Sequence, residues 1–104
     1  MFTHIALLKL RKIVDKQQTV DLLANLVGRV PELRAVEVGT DRAGTPDSYD
    51  IAWVCRFDDY AAYSSFTTHT ATKRVMEHVR TVCSAIVVCD YRDETASAGL
   101  WTKR

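Results

Sequence analysis

A chain of 104 residues with a formal net charge of +1 is too short for two ordinary domains and too close to neutral for a nucleic-acid-binding surface. Its 47% hydrophobic and 26% charged residues are typical of a globular protein. The three cysteines are an odd number without the spacing of a disulfide framework, and no segment resembles a signal peptide or a membrane span. We therefore expect one cytoplasmic domain with reduced thiols that has no nucleic-acid or membrane partner.

The first half of the chain predicts a strand, a helix and a second strand. Residues Phe2–Leu10 form a short apolar run that is typical of a strand buried on both faces. Asp15, with Gln18 three residues later, has the pattern of a capping box, and the helix that it opens is expected to end at Gly28. Residues 33–38 predict the second strand, which is followed by a loop rich in glycine, proline and aspartate.

The second half begins with the clearest strand pattern in the sequence. Residues 49–57 alternate apolar and polar side chains, as expected of a strand with one face buried. Asp58 and Asp59 then stand where they could cap a short helix over residues 60–66.

A second helix and a last strand complete the predicted domain. Residues 70–82 predict a helix and residues 84–91 a fourth strand. We expect the domain to occupy residues 1–92, with residues 93–104 as a polar C-terminal tail.

The predicted order is β-α-β-β-α-β, with the second helical region in two pieces. This order favours an α+β fold with a ferredoxin-like sheet and helices on one face. The bare face of such a sheet would carry side chains of the Trp53 and leucine kind, which is too much exposed apolar area for a monomer. We therefore expect a homodimer in which two sheets pack together as a dimeric α/β barrel.

Several short motifs occur in an order that points to a known family. His4 lies in the first strand, Val-Pro-Glu-Leu at 30–33 leads to Val-Gly at 38–39, and Cys-Asp-Tyr at 89–91 ends the last strand. Together with the strand at 49–57, these landmarks make residues 2–92 resemble the stress-responsive A/B barrel (Dabb) family. The resemblance implies a dimeric α+β barrel, in agreement with the burial argument.

The resemblance also implies a candidate site, because some family members are polyketide cyclases. Their site has a Tyr-x-x-His-Pro-x-His motif between the two helical pieces and an aspartate that is similar to Asp90. In those cyclases the second histidine acts as a base, the aspartate orients it and the tyrosine assists at the substrate oxygen. This division of labour suits aldol-type ring closure, which needs a base that titrates near neutral pH.

The motif can be placed on this sequence in two registers. Without gaps, the tyrosine falls on Phe66, the first histidine on His69 and the catalytic histidine on Thr72, which cannot titrate near neutral pH. A gapped register would instead place the tyrosine on Tyr63 and the catalytic histidine on His69. We favour the ungapped register, because the other requires compensating three-residue shifts inside helices.

The candidate residues each have an ordinary structural alternative. His69 could cap a helix, His4 could be a satisfied core histidine, and Trp53 could serve core packing. Asp90 follows the apolar run 86–89, so we expect it to be at least partly buried and to need a partner, which His4, His69 or the Thr72 hydroxyl could supply. We favour a His–Asp pair, which could be structural or catalytic. The predicted catalytic residues are His69, Asp90 and His4, and the predicted ligand-binding residues are Trp53, Phe66, Thr72 and Tyr63.

We predict a homodimer that binds a small, mostly apolar or aromatic molecule in the barrel cavity, with a cofactor-independent, cyclase-like enzyme as the alternative. A third hypothesis is a structural stress protein whose dimer surface matters more than its cavity. Neither a metal nor a cofactor is expected, since the sequence contains no glycine-rich phosphate loop and no metal-ligand spacing.

Overall fold

The predicted strands form one antiparallel sheet. The computed structural model describes residues 1–93, so that the predicted tail lies, apart from Asp93, outside the described residues. The sheet has the order β2-β3-β1-β4, with β1 and β3 at its centre. Its strands are β1 (Phe2–Leu10), β2 (Ala35–Thr40), β3 (Ile51–Phe57) and β4 (Cys83–Arg92). The predicted α+β, ferredoxin-like sheet is therefore confirmed.

The helices of the described residues are α1 (Lys16–Ala24), α2 (Tyr60–Thr68) and α3 (Thr70–Val82). The predicted capping box at the start of α1 is wrong. Asp15 belongs to a 3₁₀ turn that precedes α1, has helical backbone angles and makes no side-chain cap hydrogen bond. Instead, the Thr19 hydroxyl donates to the Asp15 carbonyl at 2.8 Å. Helix α1 also ends at Ala24, four residues before Gly28, which has a positive φ of 86° in the loop that follows.

Strand alternation divides the sheet into a buried face and an open one. On the face covered by helices, the alternate residues of β3 are all buried, and Trp53 is only 1% exposed. Trp53 lies directly across from Ala6 of β1, two residues from Leu8 on the same face. The expectation that the bare face would carry Trp53 is therefore wrong. Side chains alternate along a strand, and that of Trp53 points to the helices.

The open face, on the other side of the sheet, still exposes apolar side chains. Leu7 and Val87 lie opposite each other there and are 37% and 45% exposed. Thr3, Ile5, Lys9, Ala52, Val54, Arg56, Ala85, Cys89 and Tyr91 share this face. None of the described helices is long and apolar enough to cross a membrane. A cytoplasmic location stays a prediction.

The start of α2 offers a test of local stability. Asp59 accepts a hydrogen bond from the Ala62 backbone N–H at 2.9 Å, which confirms the predicted cap, whereas Asp58 pairs with Arg34 in the solvent. We expect Asp59→Ala to lower the free energy of unfolding by about 1 kcal/mol, because a helix donor loses its partner. Asp58→Ala is the matched control and should cost less, since exposed ion pairs contribute little. Urea unfolding of both variants measures the difference, and equal losses would contradict the capping role.

Candidate active site

A histidine and an aspartate meet on the helix-covered face of the sheet. His4 of β1 and Asp90 of β4 are direct cross-strand neighbours, and the His4 Nδ1 forms a hydrogen bond with the Asp90 Oδ1. An ionised carboxylate only accepts hydrogen bonds, so that Nδ1 is the donor, and in the neutral imidazole the lone pair is then on Nε2. Within residues 1–93, Nε2 has no hydrogen-bond partner. The contact fixes the orientation of the imidazole. His4 and Asp90 thus form a His–Asp pair.

Helix α2 adds a tyrosine to this pair. The Tyr63 hydroxyl donates to the second oxygen of Asp90 at 3.2 Å, and its ring stacks on the His4 ring with centroids 5.6 Å apart. Burial, followed by the charge of Asp90, raises the pKa of Tyr63 to about 12. Tyr63 therefore stays protonated near neutral pH, and Asp90 is held from two sides.

Aromatic side chains surround the His4 ring. Trp53 packs edge-to-face against it, with centroids 5.2 Å apart and an interplanar angle of 86°. Phe66 packs on Trp53 at 6.3 Å, and Phe2 packs on Tyr63 at 5.0 Å. Such contacts fix ring orientations and give the site an apolar lining.

A thiol also adjoins His4 but is unsuited to nucleophilic chemistry. Cys55 of β3 is the cross-strand neighbour of His4 on the side opposite Asp90. The residue is fully buried, and this burial raises the pKa of its thiol well above the ordinary value. Because the thiolate is the reactive form, Cys55 acts here as a small apolar core residue.

The structure places His69 at the junction of α2 and α3, where it caps a helix. Its Nδ1 accepts a hydrogen bond from the Ala71 backbone N–H at 3.1 Å. Among the described residues, the side-chain partners of Asp90 are His4 and Tyr63. The ordinary alternative for His69, a helix cap, is therefore the role that its contacts support.

Two buried polar atoms near the sheet lack partners in the part of the chain that the structure describes. They are the indole Nε1 of Trp53 and the hydroxyl of Thr72, in residues that are 1% and 3% exposed. Buried polar groups are nearly always hydrogen-bonded, so an unpaired one calls for a water or a ligand atom. Both residues were predicted to bind a ligand, and this role stays a prediction.

Tyr63 and Phe66 occupy the positions that distinguish the two motif registers. Tyr63 reaches Asp90, a contact that the motif does not imply for its tyrosine, whereas Phe66 is 2% exposed and packs among aromatic rings. Neither register anticipates the placement of the imidazole beside Asp90, because that imidazole belongs to His4 on β1.

An open groove of about 610 Å³ lies at the end of the sheet next to this site. Its lining consists of Met1, Phe2, Asp58, Asp59, Tyr60, Ala61 and Arg92. Arg92 was missed from the sequence, since the fourth strand was predicted to end one residue earlier. A strand that continued past Asp90 would have placed Arg92 on the same face by alternation.

Comparison with known proteins agrees with this architecture. Residues 2–93 match the Stress responsive A/B Barrel Domain family, which covers nearly all of the described chain. The chain belongs to the stress responsive A/B barrel domain family. This match confirms the resemblance inferred from the sequence landmarks. No curated protein sequence matches the chain.

Solved structures with the fold of this A/B barrel domain are distant in sequence. A hydroxynitrile lyase from Passiflora edulis has a TM-score of 0.81 at 19% identity, covering 92% of this chain and 95% of its own. Arabidopsis thaliana At3g17210 has a TM-score of 0.80 at 18% identity, with 93% and 99% covered. A dimeric ferredoxin-like protein of unknown function from Thermobifida fusca has a TM-score of 0.78 at 20% identity, with 88% and 90% covered. At these identities the likeness shows the fold alone.

The candidate site of the A/B barrel domain lies between the sheet and its helices. The helix-covered face of the sheet carries the side chains of His4, Trp53 and Asp90. The space between two paired sheets would instead be lined by the open face, which contains Leu7 and Val87. The candidate residues therefore do not line the space between two paired sheets, because alternation directs them to the helix side, and ligand binding stays a prediction.

The pKa of Tyr63 in the A/B barrel domain can be tested directly. We expect its phenol to ionise at a pH near 12, and Asp90→Asn to lower that pKa by removing the nearby charge. Because the folded state raises this pKa, the stabilisation that it provides is present below pH 10 and is lost as the pH rises toward 12. Ultraviolet difference titration, with Tyr63→Phe to identify the signal, measures both values. An unchanged pKa in Asp90→Asn would contradict the hydrogen bond.

Proposed function

We propose that this A/B barrel domain is a homodimeric enzyme that binds a small, mostly apolar carbonyl compound and moves a proton on it. The observation that carries the proposal is the arrangement of His4, Asp90 and Tyr63, which orients the imidazole and leaves its Nε2 without a partner among residues 1–93. A carboxylate that fixes the tautomer of a histidine is a common feature of general-base sites.

The proposed reaction starts with removal of a proton from the carbon next to the carbonyl. The His4 Nε2 takes that proton and becomes an imidazolium, while the electron pair of the C–H bond passes into an enolate. Asp90 stabilises the positive charge, because its carboxylate already accepts the Nδ1 hydrogen bond. Return of the proton to carbon gives exchange, whereas attack of the enolate on a second carbonyl in the same molecule gives aldol-type ring closure.

The negative oxygen of the enolate needs a hydrogen-bond donor. Tyr63 already donates to Asp90, so its hydrogen is engaged in the resting site. The indole N–H of Trp53 is buried, unpaired among the described residues and part of a ring that packs against His4. We assign Trp53 as the donor to the ligand oxygen, a role that would also satisfy its buried polar atom.

Known proteins with this fold are compatible with an enzymatic role. The Passiflora edulis protein is a hydroxynitrile lyase, which shows that the fold can hold an active site. Fold alone does not assign a reaction, so the proposal depends on the side chains of this chain.

The homodimer is proposed from the open face. Its exposed apolar side chains would be buried if two sheets packed together, and the helices would then cover the outer sides. The Thermobifida fusca protein of the same fold is described as dimeric. In such a pair each subunit keeps its own site, since the site lies on the opposite face of the sheet.

Binding without turnover is the second candidate function. It is favoured by the aromatic lining around His4 and by Thr72, which replaces the motif's second histidine in the ungapped register. Under this hypothesis, the same ligand class would occupy the site and Trp53 would again donate to its oxygen, but no proton would be removed.

Deuterium exchange separates the two functions. The chain is incubated in D₂O with 4-phenylbutan-2-one, a mostly apolar ketone, and the loss of the α-proton signals is followed by NMR. The enzyme hypothesis expects exchange faster than in buffer with the same concentration of free imidazole. Binding of the ketone, seen as shifted protein resonances, without accelerated exchange would instead favour the binding protein.

A further inference from the structure

The groove beside the proposed site contains an arginine that has no carboxylate partner within the described residues. Arg92 lies directly across from Phe2 at the end of β4 and lines the groove. In residues 1–93 the ion pairs are His4 with Asp90 and Arg34 with Asp58, so that Arg92 takes part in none. An arginine in a concave, partly aromatic site commonly recognises a carboxylate through its planar fork of donors.

The acidic side chains of the groove are engaged elsewhere. The Arg34 Nε–H is shared between the two carboxylate oxygens of Asp58, and the Arg34 Nη2 donates to one of them, at 3.0–3.2 Å. The guanidinium holds the pKa of Asp58 below the usual value. Asp59 accepts from the Ala62 N–H at the start of α2, where the helix dipole favours a negative charge. These contacts offset the repulsion that two carboxylates would otherwise exert on an anionic ligand.

Aromatic rings form the apolar part of the groove. Phe2 and Tyr60 pack edge-to-face with centroids 5.5 Å apart, and Tyr60 remains 65% exposed. Phe2 also packs on Tyr63, which contacts both His4 and Asp90. The groove is thus separated from the proposed base by one layer of aromatic rings.

The spacing along the strands relates the groove to the base. The Phe2–Arg92 pair and the His4–Asp90 pair are two residues apart on the same face, which corresponds to about 7 Å along the sheet. We propose that Arg92 binds the carboxylate of a small aromatic or alkyl acid whose body lies on the rings of Phe2 and Tyr60. This carboxylate anchor does not rest on the proposed function.

Paired probes test the anchor. Binding of 3-phenylpropionate and of 3-phenylpropan-1-ol, which has the same body without the charge, is measured by NMR titration of the full chain. We expect the acid to bind about tenfold more tightly than the alcohol, a difference typical of a charge-assisted hydrogen bond. Arg92→Gln should weaken the acid to the level of the alcohol and leave the alcohol unchanged, and Arg92→Lys should lose only part of the preference.

The exposed Arg29 provides a matched control, because Arg29→Gln makes the same change in net charge away from the groove. Acid binding that is unchanged in Arg92→Gln, or that falls equally in Arg29→Gln, would overturn the proposal. Tighter binding of phenyl phosphate than of the carboxylate would show that the ligand class is wrong. If the chain exchanges the α-protons of the neutral ketone but does not prefer the acid, the anchor fails while the proposed function stands. If the chain prefers the acid but does not exchange the α-protons of the ketone, the anchor stands while the proposed function fails.

Discussion

Replacement of His4 by glutamine is expected to slow α-proton exchange by about 100-fold or more, the usual contribution of a general base. Glutamine can donate an amide hydrogen to Asp90, so that the carboxylate keeps a partner, but it has no lone pair that titrates near neutral pH. Fold and ligand binding should therefore survive while turnover is lost. The ketone exchange rate, together with a urea unfolding curve, measures both effects.

Two other histidine variants make this result specific. The His78 Nε2 lies 3.0 Å from the Thr19 hydroxyl. Because that hydroxyl donates its hydrogen to the Asp15 carbonyl, His78 is the donor in this contact. His78→Gln keeps a donor and should exchange at the native rate. His69→Asn keeps a residue that can cap α3 and should also remain active.

The opposite pattern would identify a different base. If His69→Asn lost exchange while His4→Gln kept it, the base would be His69, as the gapped motif register implies. The assignment of His4 would then be wrong, although the hydrogen bond between His4 and Asp90 would remain as a structural feature.

The fold could be predicted from the sequence because its signals are local. The apolar run of β1 and the helical spacing of α3 gave the observed bounds, since each depends on side chains within one element. The start of α1 was mispredicted because Asp15 and Gln18 satisfy the spacing of a capping box, whereas a preceding 3₁₀ turn gives Asp15 helical angles. Backbone geometry of that kind is not visible in residue types.

The site could be predicted only in part because it depends on pairing between distant strands. Asp90 was expected to need a partner, but His4, His69 and Thr72 were equally compatible with the sequence. The choice of His4 follows from the register of β1 against β4, which places residues 86 positions apart side by side. The same register determines which face receives the candidate residues, and residue types alone do not show that Trp53 points to the helices and not to the bare face.

A lysine on the open face is expected to separate the subunits. Val87 of the edge strand β4 lies opposite Leu7 on the open face, and Val87→Lys would place a charge where two sheets are proposed to meet. The interface of a two-fold dimer contains each substituted position twice, so the unfavourable burial of charge is doubled. Sedimentation at micromolar concentration should give twice the 11.7 kDa chain mass for the native protein and the single chain mass for the variant.

Val88 supplies the matched control, because it is the adjacent residue of the same type and points to the helix side of the sheet, where it is 57% exposed. Val88→Lys adds the same charge at a surface that the proposed dimer leaves free, and it should sediment as the native protein does. A native chain of single mass would contradict the dimer. Dissociation in Val88→Lys but not in Val87→Lys would place the interface on the helix side, and the candidate site would then lie within it. The two neighbouring valines therefore decide which face of the sheet meets a second copy, and with it whether each subunit holds a site that is complete by itself.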